Sequence, residues 1–259
     1  MSPNDAPTTN IQRTTGTSTT GTSTNGVHYR AMRWEDLDDV TACFDRVWPQ
    51  REGIAGTPLA LPIARYLTLH YLEQSTWANV AELGDGTFAG VTLARVEGRP
   101  ALFAQARDAL ETVRALINAD PRGAQMLDMF EHVFLVREDI LEEDSDVRAD
   151  TQAELELFMV NPDVRGHGVG RALWEDLLGA LRAMGVRAFF LHTDSSCDYG
   201  FYDHKGLTRV AERLAADHPE DAELAEGLTT DDQYIYRADL GDAALTGALD
   251  PAQDEVRGA

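Results

Sequence analysis

A glycine-rich turn carries the clearest chemical signal in the sequence. Arg165-Gly-His-Gly-Val-Gly-Arg171 lies between an apolar segment that ends at Val160 and a helical pattern that leads to Met184. Closely spaced glycines at a helix start let an anion approach unpaired backbone N–H groups, and the helix dipole adds partial positive charge. Arg165 and Arg171 supply two cations in an otherwise acidic chain. We interpret the segment as a phosphate-binding turn.

Two common phosphate-binding motifs do not match this turn. A dinucleotide-binding turn needs G-x-G-x-x-G, and counted from Gly166 the sixth position is Arg171. A nucleoside triphosphatase loop needs Gly-Lys-Ser/Thr, which does not follow these glycines. The remaining alternative is a turn with a structural role only.

Hydrophobic patterns around the turn predict a mixed α/β domain. Alternating or short apolar runs predict strands at 27–32, 77–83, 88–96, 153–160, 186–193, 207–212 and 233–238. Apolar residues at helical spacing predict helices at 34–47, 62–73, 101–118, 125–141, 164–184 and 197–205. The Asp-Gly pair between the second and third strands predicts a hairpin.

The predicted folded body spans residues 27–240, with a helical insertion at 101–150 before the fourth strand. Residues 1–26 are almost half Ser or Thr, which predicts a disordered leader, and residues 241–259 predict an acidic, flexible tail. The acidic run at 138–150 is interpreted as a solvated helix end and loop. The segment at 233–238 is interpreted as an apolar edge strand that could support a homodimer.

Composition excludes several classes of protein. The chain of 259 residues has 22 Lys and Arg against 44 Asp and Glu, a net charge of −22, which argues against nucleic-acid binding. It contains no apolar run long enough for a bilayer and no secretion signal, so we expect a cytoplasmic protein without membrane contact. Cys43 and Cys197 lack metal-ligand spacing and are expected to be reduced thiols, and His192 and His204 are expected to be core or surface residues rather than metal ligands.

Three segments in order resemble the GNAT N-acetyltransferase superfamily, whose members move an acetyl group from acetyl-coenzyme A to an amine. Arg165 to Gly170 resembles its Arg/Gln-x-x-Gly-x-Gly/Ala signature. Leu157-Phe-Met-Val-Asn-Pro-Asp-Val-Arg165 looks like the strand and loop that precede that signature, and Phe201-Tyr-Asp-His-Lys-Gly-Leu207 resembles its aromatic-Tyr-x-x-x-Gly-Phe segment. The resemblance covers the body apart from the insertion, which is a candidate lid or substrate wall. It implies a central mixed, mostly antiparallel sheet flanked by helices.

The resemblance also implies how acetyl-coenzyme A is held, without a metal. Backbone groups of Phe158, Met159 and Val160 would pair with the pantetheine arm and polarise the thioester carbonyl. The pyrophosphate would lie on the turn formed by Gly166, His167, Gly168, Val169, Gly170 and Arg171, with Arg165 beside it. Many relatives carry Asn and Ala where this chain has Ser195 and Asp198, and Ser195 is included among the expected coenzyme contacts.

Transfer to an amine needs a base, because a lysine-like amine with a pKa of about 10.4 is protonated at neutral pH. Glu154 and Glu156 are two apart on a strand and share a face, which Phe158 and Val160 continue until a bulge breaks the alternation. Either carboxylate could act, or both could merely face solvent. Some family members keep a catalytic glutamate where Glu154 stands, which slightly favours it.

Tyr202 matches the tyrosine that protonates the departing thiolate in many relatives, with Tyr199 as the reserve candidate and a packed aromatic as the alternative. The acceptor is expected to be a small-molecule or protein amine. The negative charge, together with Glu142, Glu143, Asp144 and Asp146, favours a cationic one. A non-catalytic acyl-coenzyme A-binding module and transfer of a longer acyl group are the alternative functions.

Overall fold

The computed structural model describes residues 26–51, 53–164, 166–224 and 231–241. Within these ranges the strands are β1 (Val27–Ala31), β2 (Trp77–Leu83), β3 (Phe88–Val96), β4 (Ala153–Val160), β5 (Ala188–Asp194), β6 (Thr208–Arg213) and β7 (Gln233–Asp239). The helices are α1 (Leu37–Val47), α2 (Ala60–Glu73), α3 (Ala106–Asn118), α4 (Pro121–Met129), α5 (Leu135–Ser145), α6 (Val147–Asp150), α7 (Val169–Ala183), α8 (Gly200–His204) and α9 (Pro219–Leu224). The predicted leader, apart from Gly26, and the predicted tail beyond Gly241 lie outside the described residues.

The described strands form one sheet in the order β1-β2-β3-β4-β5-β7-β6. Neighbouring strands are antiparallel except β4 and β5, which are parallel. The expected mixed, mostly antiparallel sheet is therefore confirmed. The prediction of an edge strand at 233–238 is wrong, because β7 pairs with β5 on one side and β6 on the other. None of the described helices is long and apolar enough to cross a membrane.

The insertion between β3 and β4 contains more helices than the two predicted. The helix predicted from residue 101 begins at Ala106, since the Leu102 N–H donates to the Ser75 carbonyl at 2.8 Å and ties the preceding segment to the end of α2. The helix predicted at 125–141 divides into α4, a π-helical segment at Phe130–Phe134 and α5, and the short α6 follows. Such π-helical segments often occur at functional sites.

The acidic run at 138–150 forms most of α5 and all of α6 rather than a helix end and loop, although most of its acidic side chains are solvated as predicted. Leu141 on α5 packs with Phe190 of β5 and Ile235 of β7. This apolar contact holds α5 against the sheet and turns part of the acidic sequence inward. Glu142 is consequently only 7% exposed.

Two further helix starts differ from prediction for local reasons. The helix predicted from residue 164 begins at Val169, because Gly166 and Gly168 have φ angles of 83° and 68°, which an α-helix of L-residues does not contain. The helix predicted from residue 197 begins at Gly200. The Asp194 carboxylate accepts the Ser196 N–H at 2.8 Å, which forms a tight turn before the helix.

Helices cover both faces of the sheet. On one face, α7 buries Leu173, Leu177 and Leu181 completely, and these residues recur at the spacing of one helix side. On the other face, α1, α2 and α3 share a core with β2, β3 and the end of β4, and α5 covers β5 and β7. We call these the α7 face and the α5 face. Each buried leucine stabilises the fold by about 1.5–3 kcal/mol relative to an exposed one.

β4 and β5 separate soon after they meet. They pair only at Ala153 with Phe189 and at Glu154 with Phe190. Beyond these pairs the strands diverge, so a gap opens between their carboxyl ends. Backbone N–H and C=O groups along that edge of β4 have no β5 partner and are available to a ligand.

β4 also contains a β-bulge. Leu93 of β3 pairs with Leu157, whereas the next residue, Ala94, pairs with Leu155. Glu156 is therefore the extra residue of β4, and the alternation of side chains between the two faces shifts at this position.

Candidate active site

The bulge places the side chain of Glu154 on one face of the sheet and the side chains of Phe158 and Val160 on the other. Glu154 lies beside Phe190 on the α5 face. After the bulge, Phe158 and Val160 pack on the α7 face instead. The expectation that these residues share a face until a bulge intervenes is thus confirmed, and the bulge is at Glu156. An amine and a coenzyme could meet at the gap between β4 and β5 from these two sides.

Arg95 of β3 joins the two glutamates. Its Nε donates to Glu156 Oε1 at 2.8 Å, and its NH2 group donates to Glu154. Both carboxylates are 11% exposed. One arginine cannot neutralise two ionised carboxylates. Burial, and then the charge of Glu154, accordingly raise the pKa of Glu156 to about 8 despite the opposing effect of Arg95.

A second group of carboxylates on α5 faces the same space. Glu142 Oε1 lies 2.8 Å from His192 Nε2, and its other oxygen pairs with Arg148. Glu138 lies one turn earlier, and burial raises its pKa; His192 opposes this rise, and the nearby charges of Glu154 and Asp194 add to it. The site is therefore more acidic than β4 alone would make it.

Glu142, Glu154 and His192 are also the residues that could hold a metal ion. Each offers one ligand atom, and these atoms lie within 4.8 Å of one another. Arg148 and Arg95 already pair with the two carboxylates. These arginines account for the cluster, and we assign it no ion.

Tyr71, at the end of α2, lies where the acidic groups meet a row of aromatic rings. Burial raises its pKa, and the neighbouring charges of Glu138, Asp194 and Glu156 add to this effect. The rings continue from Tyr71 to His70 at 5.4 Å, from His70 to Phe130 at 5.3 Å, and from Phe130 to Phe134 at 6.5 Å between centroids. On the α5 face these acidic side chains therefore adjoin a row of aromatic rings, and we call this region the acceptor cleft.

Tyr202 on α8 lies among aromatic rings on the α7 face. Its ring centroid is 6.2 Å from that of Trp174. Burial, and then the neighbouring Cys197 and Asp198, raise the pKa of Tyr202, so its hydroxyl stays protonated at neutral pH. The reserve candidate, Tyr199, packs on Tyr234 of β7 at 5.1 Å.

Phe158 belongs to the same aromatic group as Tyr202. It stacks on Phe201 at 5.5 Å and meets Trp174 edge-on at 5.9 Å. Met159, in contrast, is 2% exposed and lies in the core of the α5 face. At Gly90 of β3 a Cβ atom would lie 2.7 Å from the Met159 carbonyl oxygen, so glycine permits this close approach of β3 to β4.

The glycine turn lies at the amino end of α7, next to the end of β4. Gly168 is the N-cap residue, with no capping side chain, so the first N–H groups of α7 remain open to an anion. Gly166 is exposed, and a Cβ atom there would meet nothing within 4 Å. At Gly170 a Cβ atom would lie 3.4 Å from Val160, which brings the turn and the strand edge together. Val169 is buried and anchors this helix start.

The polar side chains around the turn have protein partners. His167 Nδ1 lies 3.1 Å from the Val164 carbonyl oxygen. Arg171 Nε donates to Glu175 at 2.8 Å. Arg165 lies outside the described residues. Among the described residues, the donors that this turn presents to an anion are therefore mainly backbone N–H groups.

Ser195 directly follows β5 and bonds to the two residues that precede β7. Its hydroxyl donates to Asp231 at 3.0 Å and accepts the Asp232 N–H at 3.1 Å. Its predicted coenzyme contact stays a prediction.

Sequence reasoning missed Arg95, Tyr71 and the inward-facing residues of α5. Arg95 had a signal, because it interrupts the apolar run of β3. Glu138 and Glu142 had a weaker one, since they follow Phe134 at successive four-residue steps and so share its helix face. The sequence predicted His192 to be a core or surface residue rather than a metal ligand, and gave no sign of its contact with Glu142.

Comparison with known proteins agrees with this geometry. The model of the acetyltransferase (GNAT) family matches residues 64–204, more than half of the chain. A search of curated proteins found no match. Among solved structures, the fold is similar to a mosquito arylalkylamine N-acetyltransferase like 5b, with 19% identity, a TM-score of 0.51 and coverage of 82% of this chain and 99% of the other. It is also similar to arylalkylamine N-acetyltransferase 7 from the yellow fever mosquito, with 12% identity, a TM-score of 0.53 and coverage of 83% and 87%.

At these identities the solved structures show only that the fold is shared. The match to the family model also includes the glycine turn and β4. The chain belongs to the GNAT family of acetyltransferases.

Proposed function

We propose that this protein transfers the acetyl group of acetyl-coenzyme A directly to a primary amine bound on the α5 face. The observation that carries this proposal is the position of Glu156: a buried carboxylate with a pKa raised to about 8, at the bulge beside the gap between β4 and β5. A base with a pKa near the working pH is suited to proton transfer.

Acetyl-coenzyme A would enter the gap from the α7 face. The pantetheine arm would pair with backbone groups of Phe158, Met159 and Val160, on the edge of β4 that β5 leaves open. The pyrophosphate would lie on the N–H groups from Gly166 to Arg171, at the uncapped start of α7. When bound, the coenzyme supplies a thioester, whose carbonyl carbon accepts the amine.

Glu156 and Tyr202 would carry out the two proton transfers of the reaction. The neutral amine nitrogen forms a bond to the acetyl carbon, and the bond from that carbon to sulfur breaks. Glu156 takes the proton that the nitrogen loses, directly or through water. Tyr202 donates a proton to the departing sulfur and regains one from solvent. The products are an amide and free coenzyme A.

We favour Glu156 over Glu154 as the base. The charge of Glu156 reaches Tyr71 in the acceptor cleft, as the raised pKa of that tyrosine reflects. Glu154 bonds to Arg95 and lies within 4.8 Å of ligand atoms of Glu142 and His192. It acts as a positioning residue, because its charge helps to raise the pKa of Glu156.

The aromatic packing supports a short acyl group. Phe201 and Trp174 both contact Phe158 and occupy space beside the open edge of β4. A two-carbon acyl group needs little of this space, whereas a long chain would have to displace a ring. Acetyl transfer is therefore the preferred reaction among the acyl transfers considered.

The test is release of coenzyme A thiol from acetyl-coenzyme A across a panel of amines, combined with a calorimetric titration of acetyl-coenzyme A. The panel includes arylalkylamines, because the two solved structures described above carry that name. It also includes polyamines, amino acids and peptides. We expect release that depends on the amine. Binding of acetyl-coenzyme A without release by any amine would instead support the non-catalytic module.

We expect Tyr202→Phe to lower kcat by about 10-fold. The loss is moderate because a thiolate with a pKa of about 8.5 leaves without full protonation. Initial rates at saturating substrate measure the effect, and Tyr199→Phe is the matched control, since Tyr199 packs on β7. Equal rates for Tyr202→Phe and the unmodified protein would remove Tyr202 from the mechanism.

A further inference from the structure

Glu138 is a carboxylate without a partner in the acceptor cleft. Within the described residues it has no hydrogen bond or ion pair, and its electrostatic neighbours are charged groups at a distance. Solvent still reaches part of its side chain, although protein surrounds the carboxylate closely enough to desolvate it. Its nearest equivalent on α5, Glu142, is instead bonded to both His192 and Arg148. Glu138 thus differs from Glu142, Glu154 and Glu156, each of which is bonded to an arginine.

The cleft around Glu138 carries excess negative charge. Its carboxylates are Glu138, Glu142, Glu154, Glu156 and Asp194, and the arginines that pair with them are Arg95 and Arg148. Two arginines do not balance five carboxylates, even with His192 protonated. Proton uptake relieves part of this excess, as the raised pKa of Glu138 and Glu156 reflects.

The reacting amine does not neutralise this excess. It attacks as a neutral nitrogen, and Glu156 takes a proton from it only as the amide forms, so the reacting amine brings no positive charge to the cleft before transfer. A second, non-reacting cation on the acceptor would keep its charge throughout. Such a cation would stabilise the ionised form of Glu138 and would itself be held by a charge-assisted hydrogen bond.

The helix face that carries Glu138 also suits the rest of such an acceptor. Phe134 precedes Glu138 by four residues and lies on the same side of α5, and its ring is 6.5 Å from that of Phe130. Burial raises the pKa of Tyr71, and the charges of both Glu138 and Glu156 add to this effect, so Tyr71 is near both carboxylates. An apolar spacer could therefore lie along rings while its two ends meet different carboxylates.

We propose that the acceptor is a diamine or a related amine with a second cationic group, and that Glu138 is the residue that selects it by binding the non-reacting cation. This substrate class rests on the transferase function proposed above. The observation that supports it is the unpartnered carboxylate of Glu138 on α5, one helical turn before Glu142, whose carboxylate oxygen lies within 4.8 Å of ligand atoms of Glu154 and His192.

The test compares diaminobutane with butylamine, which has the same chain length but one amine. We expect the full-length protein to show at least about 10-fold higher kcat/KM for diaminobutane. In Glu138→Gln, the ratio of the two kcat/KM values should fall by about 10- to 100-fold, as expected for loss of a charged hydrogen bond. Glu143→Gln is the matched control, because Glu143 is exposed on the same helix and the same change there should leave the ratio unchanged.

A binding measurement separates this inference from the transferase proposal. Diaminobutane is titrated calorimetrically into the protein saturated with coenzyme A, before and after the Glu138→Gln change. Binding that weakens at least 10-fold in the variant supports the diamine subsite even if no amine is acetylated. Three results would overturn the diamine inference. The first is an equal kcat/KM for the two amines, and the second is an equal loss for both amines in Glu138→Gln. The third is a diamine affinity that does not change in Glu138→Gln. Thermal unfolding of each variant shows whether the fold is intact.

Discussion

Glu156→Gln is expected to lower kcat by about 10²- to 10⁴-fold, the usual contribution of a general base. The amide keeps the size of the side chain and its hydrogen bond to Arg95, but it cannot take a proton. Initial rates at saturating acetyl-coenzyme A and amine measure the loss. Glu154→Gln should have a smaller effect, because Glu154 acts only through Arg95 and Glu156.

The dependence of kcat/KM on pH gives a second, independent test of Glu156 as the base. Since the pKa of Glu156 is raised to about 8, the carboxylate becomes ionised, and competent as a base, as the pH rises through that value. We therefore expect kcat/KM to rise with pH in two steps, one near pH 8 from ionisation of Glu156 and one near pH 10.4 from ionisation of a lysine-like amine. In Glu156→Gln the step near pH 8 should disappear, whereas the step near pH 10.4 should remain. A step near pH 8 that persists in the variant would assign the base to another group.

Gly170→Asp is expected to weaken acetyl-coenzyme A binding by at least about 100-fold. The new carboxylate would lie at the start of α7, where the pyrophosphate is placed, and like charges at close range cost several kcal/mol. The helix itself should tolerate Asp, because a negative side chain near a helix N-terminus is favourable. Isothermal titration of acetyl-coenzyme A measures the change.

Gly179→Asp provides the control for this substitution. Gly179 lies on the same helix, is exposed, and has open space around the position of a Cβ atom. The Gly179→Asp variant adds the same charge to α7, but more than two helical turns away from the glycine turn. Equal losses of affinity in both variants would mean that net charge, rather than the helix start, governs coenzyme binding.

The sequence predicted those parts of the structure whose cause is local. β2, β3 and β4 begin and end where their apolar runs do, because alternation and turn residues determine such elements over short distances. The glycine turn was recognised for a similar reason. Gly166 and Gly168 adopt positive φ angles, a conformation that favours glycine.

The parts that were not predicted depend on contacts between distant segments. The acidic run on α5 looked solvated, and only the packing of Leu141 on Phe190 and Ile235 reveals that Glu138 and Glu142 face inward. The bulge at Glu156 is likewise set by the register of β4 against β3, which no residue in β4 signals alone. The identity of the base depends on both features, which is why the sequence left Glu154 and Glu156 as alternatives.

The most direct test of the central claim is a single-turnover reaction with acetyl-coenzyme A carrying an isotopic label in the acetyl group. The protein is in excess, diaminobutane is the first acceptor, and the reaction is quenched at successive times for mass spectrometry of protein and amine. We expect the label to pass to the amine nitrogen at the rate at which coenzyme A thiol appears, and never to reside on Cys197 or any other residue. Label that accumulates on the protein before it reaches the amine, or thiol release without a labelled amide, would contradict direct transfer.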